Sequence, residues 1–327
     1  MPLLALTGVV VDVVFGEPRR WHPLVAFGAW ATHVERALNP DRARTLPAPV
    51  GPPGRTTRLR TSARVRGVYA WAVCVCAPVA FAAALLAMIP APYNALIHIG
   101  LLWFALGARS LRDHIQPIAG ALREADIERA RSLTSRIVTR DTSSADETAL
   151  ARAAIESALE NGNDAIFGAL FWFAIAGGPG ALAFRLINTL DAMWGYRTPR
   201  FARFGWAAAR LDDVANYIPA RLTALSYAVC GHLPSALRCW RTQAANWDSP
   251  NAGPVMASGA GSLRVLCGGV ARYHGADEAR PVLGVGRAPN AADIGRALRL
   301  VRHALWLWLG ALLCIAFAVS LTLHPIR

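Results

Sequence analysis

From Gly67 to Ala108 the chain carries no Asp, Glu or Arg, and the run is punctuated by Pro90 and Pro92. A stretch of that length and character has few folded options. In hydrocarbon an α-helix satisfies its own backbone groups, whereas in water so long an uncharged run would have to be buried on every side. The two prolines cannot continue a helix, so residues 67–108 predict a hairpin of two spanning helices with a turn near 90–92. Both flanks are basic, with Arg64 and Arg66 before and Arg109 and Arg112 after, while the turn is uncharged. The flanks are therefore expected on the cytoplasmic side and the turn outside. A further apolar run, 304–323, predicts a final span.

Composition agrees with a membrane solution: 54% of the 327 residues are hydrophobic and 17% charged, against about a quarter charged in soluble domains. The formal charge is +13, and the chain contains no lysine, so every basic side chain other than histidine is arginine. That excludes a catalytic lysine and a GxxxxGK[ST] phosphate loop, and it favours bidentate recognition of carboxylate or phosphate. Because the arginines flank apolar segments instead of forming an aromatic-studded stripe, the expected partner is the lipid bilayer and not nucleic acid. The six cysteines have neither paired CxxC nor disulfide-framework spacing and read as small apolar fillers.

Taken in order, residues 3–15 are too short for a span and contain Asp12, which predicts an interfacial or protein-buried helix. A polar turn with Arg19, Arg20 and His22 follows, then a helix to about Leu38 and a flexible basic loop over 39–66. Residues 109–164 are polar and helical, with Ser144 to Glu147 read as a capping box opening a helix that reaches about Asn161. On that helix Glu156 and Glu160 stand four apart, a spacing open to a Mg²⁺ pair or to a solvated face with an Arg152–Glu156 ion pair. Residues 165–187 form an apolar segment broken by Gly177-Gly178-Pro179-Gly180, read as a re-entrant hairpin with a kinked span as the other possibility. The Gly/Ser/Asn-rich stretch 242–275 reads as a loop able to approach an anion closely, and 293–302 as an amphipathic helix ahead of the final span. No segment reads as a strand, so the fold class is all-α, a single multi-span helical membrane domain over 1–327.

The densest chemistry lies in 185–223, where Asn188, Asp191, Arg197, Arg210, Asp212, Asp213, Asn216 and Arg221 crowd between apolar segments. Asp212 and Asp213 stand four and three residues before Asn216, so two carboxylates and an amide share a rim ahead of Pro219. Such a group suits a charged ligand, and equally a solvated face with local ion pairs.

Several motifs then combine in one order: VDVVFGEPRRWHPLVAFG, IVTRDTSSAD, EN followed by Asp164 and LFW, NTLDAMWGYR, LDDVANYIPARLTA, and SPNAGPVMASGAGSLRV with the ensuing GG and YHG. Together they resemble the adenosylcobinamide-phosphate synthase family of cobalamin biosynthesis, the CobD/CbiB membrane proteins, over nearly the whole chain. At 160–169 the chain reads ENGNDAIFGA, which departs from the family's pattern in loop shape and lacks a proline. The resemblance implies ATP-dependent amide formation between adenosylcobyric acid and (R)-1-amino-2-propanol or its O-phosphate, at the cytoplasmic face of the cell membrane. It implies ATP as co-substrate and Mg²⁺ to manage its phosphates. Catalytic candidates are Asp164, Asp191, Asp212 and Asp213; substrate-binding candidates are Arg140, Asn188, Arg197, Arg210, Asn216, Arg221, Ser249 and Asn251; metal candidates are Asp141, Glu160 and Asp213. Other membrane enzymes of cobalamin assembly are possible partners. The alternative is a non-catalytic scaffold or corrinoid transporter that retains the fold.

Overall fold

Pro90 and Pro92 end the helices that flank them, as a missing N–H and a fixed φ dictate. The structure, a computed structural model, describes residues 1–17, 23–43, 55–273 and 275–323, with the side chains of 55–61 and 323 excepted. Arg19, Arg20, His22, loop residues 44–54 and His274 lie outside the described residues. The helices are α1 (Pro2–Phe15), α2 (Pro23–Leu38), α3 (Arg55–Met88), α4 (Asn94–Ala105), α5 (Ala108–Arg123), α6 (Ile127–Thr134), α7 (Glu147–Gly162), α8 (Gly168–Trp194), α9 (Trp206–Cys230), α10 (Leu233–Gln243), α11 (Ala252–Leu263) and α12 (Ala291–Leu323). Among the described residues four stretches are long and apolar enough to cross a membrane: Ser62–Met88, Asn94–Arg123, Glu147–Trp194 and Ala291–Thr322. The chain is an integral membrane protein of all-α class, and its described residues add one two-stranded ribbon.

The two helices predicted over 67–108 are found as α3 and α4 with a turn at 90–93, but α4 has only 12 residues and the second apolar stretch is Asn94–Arg123, running on past 108. Four other expectations need correction. The basic loop ends early, because α3 already begins at Arg55. The amphipathic helix at 293–302 and the final span are one helix, α12, since nothing between them interrupts hydrogen bonding. The cap of α7 is Asp146, whose carboxylate accepts the Ala149 N–H at 2.7 Å, and not Ser144. Finally, residues 252–263 of the expected Gly-rich loop form α11, every residue of which is buried. Small residues stabilise that helix through close approach: a Cβ on Gly259 would meet the Leu159 side chain, and one on Gly261 the backbone of Ser235 and Ala236.

The described chain forms two compact units. The first comprises 1–16, 106–168 and 216–327; the second comprises 17–105 and 169–215. In the first, α7 packs among α5, α11 and α12, and α1 is anchored through Asp12. The Asp12 carboxylate is fully buried and accepts the Arg109 N–H at 3.0 Å, while the Arg109 guanidinium caps α1 through the carbonyls of Val13 and Val14. A charge that would be costly in lipid is thereby held inside protein. The same unit carries an antiparallel ribbon, β1 (Leu266–Tyr273) and β2 (Ala276–Gly284), which the sequence does not announce. Its ladder is irregular between Gly268 and Gly269, both at positive φ (71° and 75°), where a side chain on Gly268 would strike the Pro281 carbonyl.

The second unit is cored by Phe27, Ala31 and Val34 of α2, Ala70, Cys74 and Val75 of α3, and Leu186, Leu190 and Trp194 of α8. The glycine-rich break is real: Ala176 and Gly177 leave helical geometry, Gly177 with φ 62°, and α8 resumes beyond them. The Gly178 N–H freed there donates to His98 Nδ1 of α4 at 2.8 Å.

Candidate functional site

In the second unit α8 and α9 bring together most of the acids expected to act. Asn188 Nδ2 donates to Asp212 Oδ1 at 3.4 Å, Arg210 Nη1 donates to Asp213 Oδ2 at 3.1 Å, and the Asp191 carboxylate is close enough to Asp213 for the two to repel. Three carboxylates thus share one neighbourhood with an arginine and an amide, an arrangement that attracts a cation or an ammonium group. Gly195 closes α8, and a Cβ there would collide with the Asp191 carboxylate. The connection 195–205 carries Arg197, which is exposed.

That connection is fastened by a pair the sequence reading missed. Glu35 is 1% exposed and accepts both Arg200 Nε at 3.0 Å and Arg200 Nη2 at 2.6 Å, while Asn39 Nδ2 donates to Glu35 Oε1 at 2.6 Å and to the Arg200 carbonyl at 3.2 Å. Burial alone pushes the Glu35 carboxyl up, but the hydrogen bonds from Arg200 and Asn39 outweigh it and hold the group below the ordinary 4.5. The available signal was a carboxylate on the apolar helix α2 with an amide four residues on.

In the first unit a second set gathers around Glu156, which is 2% exposed and not on a solvated face. It does not pair with Arg152. Oε2 accepts from Arg140 Nη2 and from Arg280 Nη1 at 3.0 Å; Oε1 accepts the Gly268 N–H at 2.7 Å, the ribbon's irregularity having turned that donor toward it. Glu160 stands beside this carboxylate and the same two arginines. Arg280 is a residue that sequence reading passed over, because it lies on a strand that was not foreseen. Asp141 accepts the Ser143 N–H at 2.9 Å, and that bond, with Arg272 nearby, holds its carboxyl below the usual range.

A third set is built on a π-helical turn, 163–167, that joins α7 to α8. Asn163 Nδ2 donates to Asp164 Oδ1 at 2.9 Å and to Asn216 Oδ1 at 2.7 Å, and Thr223 donates to Asn163 Oδ1 at 3.0 Å. Tyr227 donates to the Leu159 carbonyl at 3.0 Å, and its hydroxyl occupies the space a Cβ on Gly162 would need. Gly162 and Asn163 therefore form one coupled feature: the glycine admits the tyrosine and the asparagine ties Asp164 to Asn216. π-Turns of this kind occur disproportionately at functional sites.

Arg221, Ser249 and Asn251 also meet, chiefly by bonding one another. Arg221 Nη1 donates to Asn251 Oδ1 at 2.8 Å, Nη2 to the Pro250 carbonyl at 3.0 Å, and its guanidinium lies 3.5 Å from the Tyr217 ring centroid. Ser249 Oγ accepts the N–H groups of Asn251 and Ala252 at 3.3 and 3.1 Å, shaping the entry to α11. Among the described residues no cluster of three or more His, Cys, Asp and Glu side chains could hold a metal alone.

A family model described as CobD/Cbib protein matches residues 5–301. A cobalamin biosynthesis protein CobD of Chromobacterium violaceum is 50% identical over 95% of this chain and 96% of its own length, and one of Stutzerimonas stutzeri is 52% identical over the same shares. The protein so named from Mycobacterium tuberculosis is 40% identical over 91% of this chain and 90% of its own. No solved structure matches the chain. With most of its length matched on both counts, the chain belongs to the CobD/CbiB family.

Proposed function

We propose that this membrane protein of cobalamin biosynthesis forms adenosylcobinamide or its phosphate by ATP-dependent amide synthesis, joining the carboxyl group of adenosylcobyric acid to (R)-1-amino-2-propanol or its O-phosphate. The observation that carries the reading is the family match from residue 5 to residue 301. The three-carboxylate neighbourhood of Asp191, Asp212 and Asp213 supports it chemically. Amide formation from a carboxylate needs its oxygen converted into a leaving group, most simply by phosphorylation, and then a base for the proton the attacking ammonium must lose. Asp212, held by Asn188, suits the base; Asp164, oriented by Asn163, is the second candidate.

Mg²⁺ that arrives with a nucleotide keeps several waters and takes one or two carboxylates, so no three-ligand cluster is required. Asp191 and Asp213, two carboxylates that repel each other, fit that demand and would hold it; the ion would neutralise phosphate charge. Glu160 fits less well, because two guanidiniums already face it, and Asp141 has one oxygen committed to Ser143. Arg197 and Arg210 would meet anionic substrate groups. Arg221, Ser249 and Asn251 would act by shaping their loop, and Asn216 by holding Asn163. The active face is assigned to the cytoplasm, where ATP and the corrinoid are available.

The test is ATP consumption by the purified protein in nanodiscs with adenosylcobyric acid and Mg²⁺, comparing aminopropanol, its phosphate and no amine, with product mass checked. Turnover that requires both corrinoid and amine, and falls at least about a hundredfold in Asp212→Ala, is expected for loss of a general base. Corrinoid binding without turnover under any amine would replace the ligase by a scaffold or transport role.

A further inference from the structure

The first unit contains a cavity of about 310 Å³ between the 140–146 loop, the first turns of α7 and the ribbon. That volume suits a small ligand or one end of a larger one. Arg152 lines it, and its position is anomalous. The carboxylate four residues on, Glu156, is its natural helical partner, but both Glu156 oxygens are taken by Arg140, Arg280 and the Gly268 N–H. Arg152 Nε is sealed from solvent with no hydrogen-bond partner, and no ion pair to Arg152 is present among the described residues. The residue as a whole is only partly buried, so what the fold leaves unmet is this Nε–H, which forgoes a hydrogen bond unless a ligand acceptor completes it.

Most other charges of the wall are already engaged: Arg140 is bound to Glu156, Asp141 accepts from Ser143, and Asp146 caps α7, while Arg272 and Asp277 are register partners across the ribbon. Arg152 is thus the wall arginine whose Nε lacks an acceptor, and although Asp141, Asp146 and Asp277 share the cavity with it, none forms an ion pair with it among the described residues. The wall is also fixed in place: the Asp141 N–H donates to the Arg272 carbonyl at 2.8 Å, and Thr142 donates to the Arg131 carbonyl at 3.1 Å.

We infer that this cavity binds the phosphate group of a small ligand, with Arg152 as its anchoring residue. A planar fork of N–H donors matches tetrahedral phosphate oxygens, and an anion supplies the charge that Glu156 cannot. The assignment rests on the amide-forming reading only for the source of the phosphate, which is either the nucleotide or the phosphorylated amine.

The experiment is calorimetric titration of the full-length protein in detergent with inorganic phosphate, ATP and aminopropanol O-phosphate in separate arms, for wild type, Arg152→Gln and Ala149→Glu. Binding in at least one arm, weakened about tenfold or more in Arg152→Gln, is expected, and the arm that binds identifies the source. Ala149→Glu guards against misfolding of the first variant: it places a carboxylate one helical turn before Arg152, so it should melt no lower than wild type and lose phosphate binding. Absence of binding in all wild-type arms, or wild-type affinity in either variant, overturns the site. Amide formation is assayed separately on the same wild-type preparation. Phosphate binding at Arg152 without amide formation removes the reaction and leaves the site; amide formation with phosphate affinity indifferent to Arg152 does the reverse.

Discussion

Helices α3 and α7 are both apolar enough to join membrane-spanning stretches, yet they solve opposite problems. Only 17% of the most apolar window in Ser62–Met88 is buried, whereas 61% of that in Glu147–Trp194 is. In α3 the uncharged surface faces outward: Cys74 is buried against α8, while Cys76, two residues on, is exposed. In α7 ten of the sixteen residues are buried, and the buried carboxylate among them, Glu156, is matched to donors from Arg140, Arg280 and Gly268. The difference teaches that hydropathy alone does not say what a helix faces; the presence of a carboxylate with a dedicated set of partners does.

The largest effect expected from breaking that contrast is at Glu156. Replacing it by Ala leaves Arg140 and Arg280 buried with like charge and frees the Gly268 N–H, so Glu156→Ala should cost about 3 to 5 kcal/mol. The melting midpoint of the detergent-solubilised protein reads this. A loss below about 1 kcal/mol would mean that α7 behaves like α3, with its polar groups solvated. The complementary substitution is Cys76→Asp, near the middle of the exposed span. In a soluble helix an exposed aspartate is nearly silent, but at the centre of a lipid-facing helix it costs about 2.5 to 3.5 kcal/mol of insertion. The fraction of chain recovered in membranes should fall accordingly, while normal recovery would show that this face of α3 meets water or protein.

The same contrast explains how much was legible. The uncharged run 67–108 and its prolines specified two helices, because lipid leaves few backbone solutions and the signal is local. The cluster of Asp191, Asp212 and Asp213 was legible as residues, since acids between apolar segments are conspicuous. What stayed hidden was set by distant partners. Glu156 and Arg152 at helical spacing read as an ion pair, and only the approach of Arg140 and Arg280 decides otherwise. The ribbon was obscured by its own glycines, Gly268 and Gly269, which weaken any strand pattern while allowing the irregularity that turns an N–H toward Glu156. Helix α11 was misread for a related reason: Gly, Ser and Ala signal a loop in water but close packing when all sides are buried.

The smallest of the expected effects sharpens the contrast by placing an ion pair outside the spans. Glu35 on α2 and Arg200 form a bidentate pair whose carboxylate is buried and whose guanidinium is partly exposed, so water screens one side only. Glu35→Gln keeps the shape and removes the charge, and should cost about 1 to 2 kcal/mol, less than loss of the fully enclosed Glu156. The pH dependence has a definite sign. Because the folded-state carboxyl is held below 4.5, folding binds fewer protons than the unfolded chain does near that pH. The stabilisation is therefore complete above the unfolded value and is lost as pH falls through the lower folded value. Melting followed from pH 7 down to pH 3 should show wild type and Glu35→Gln converging at the acid end, the gap between them closing only below about 4.5. A gap that is constant with pH would assign the loss to packing around Arg200 and Asn39, and the connection bearing Arg197 would then be held by shape and not by charge.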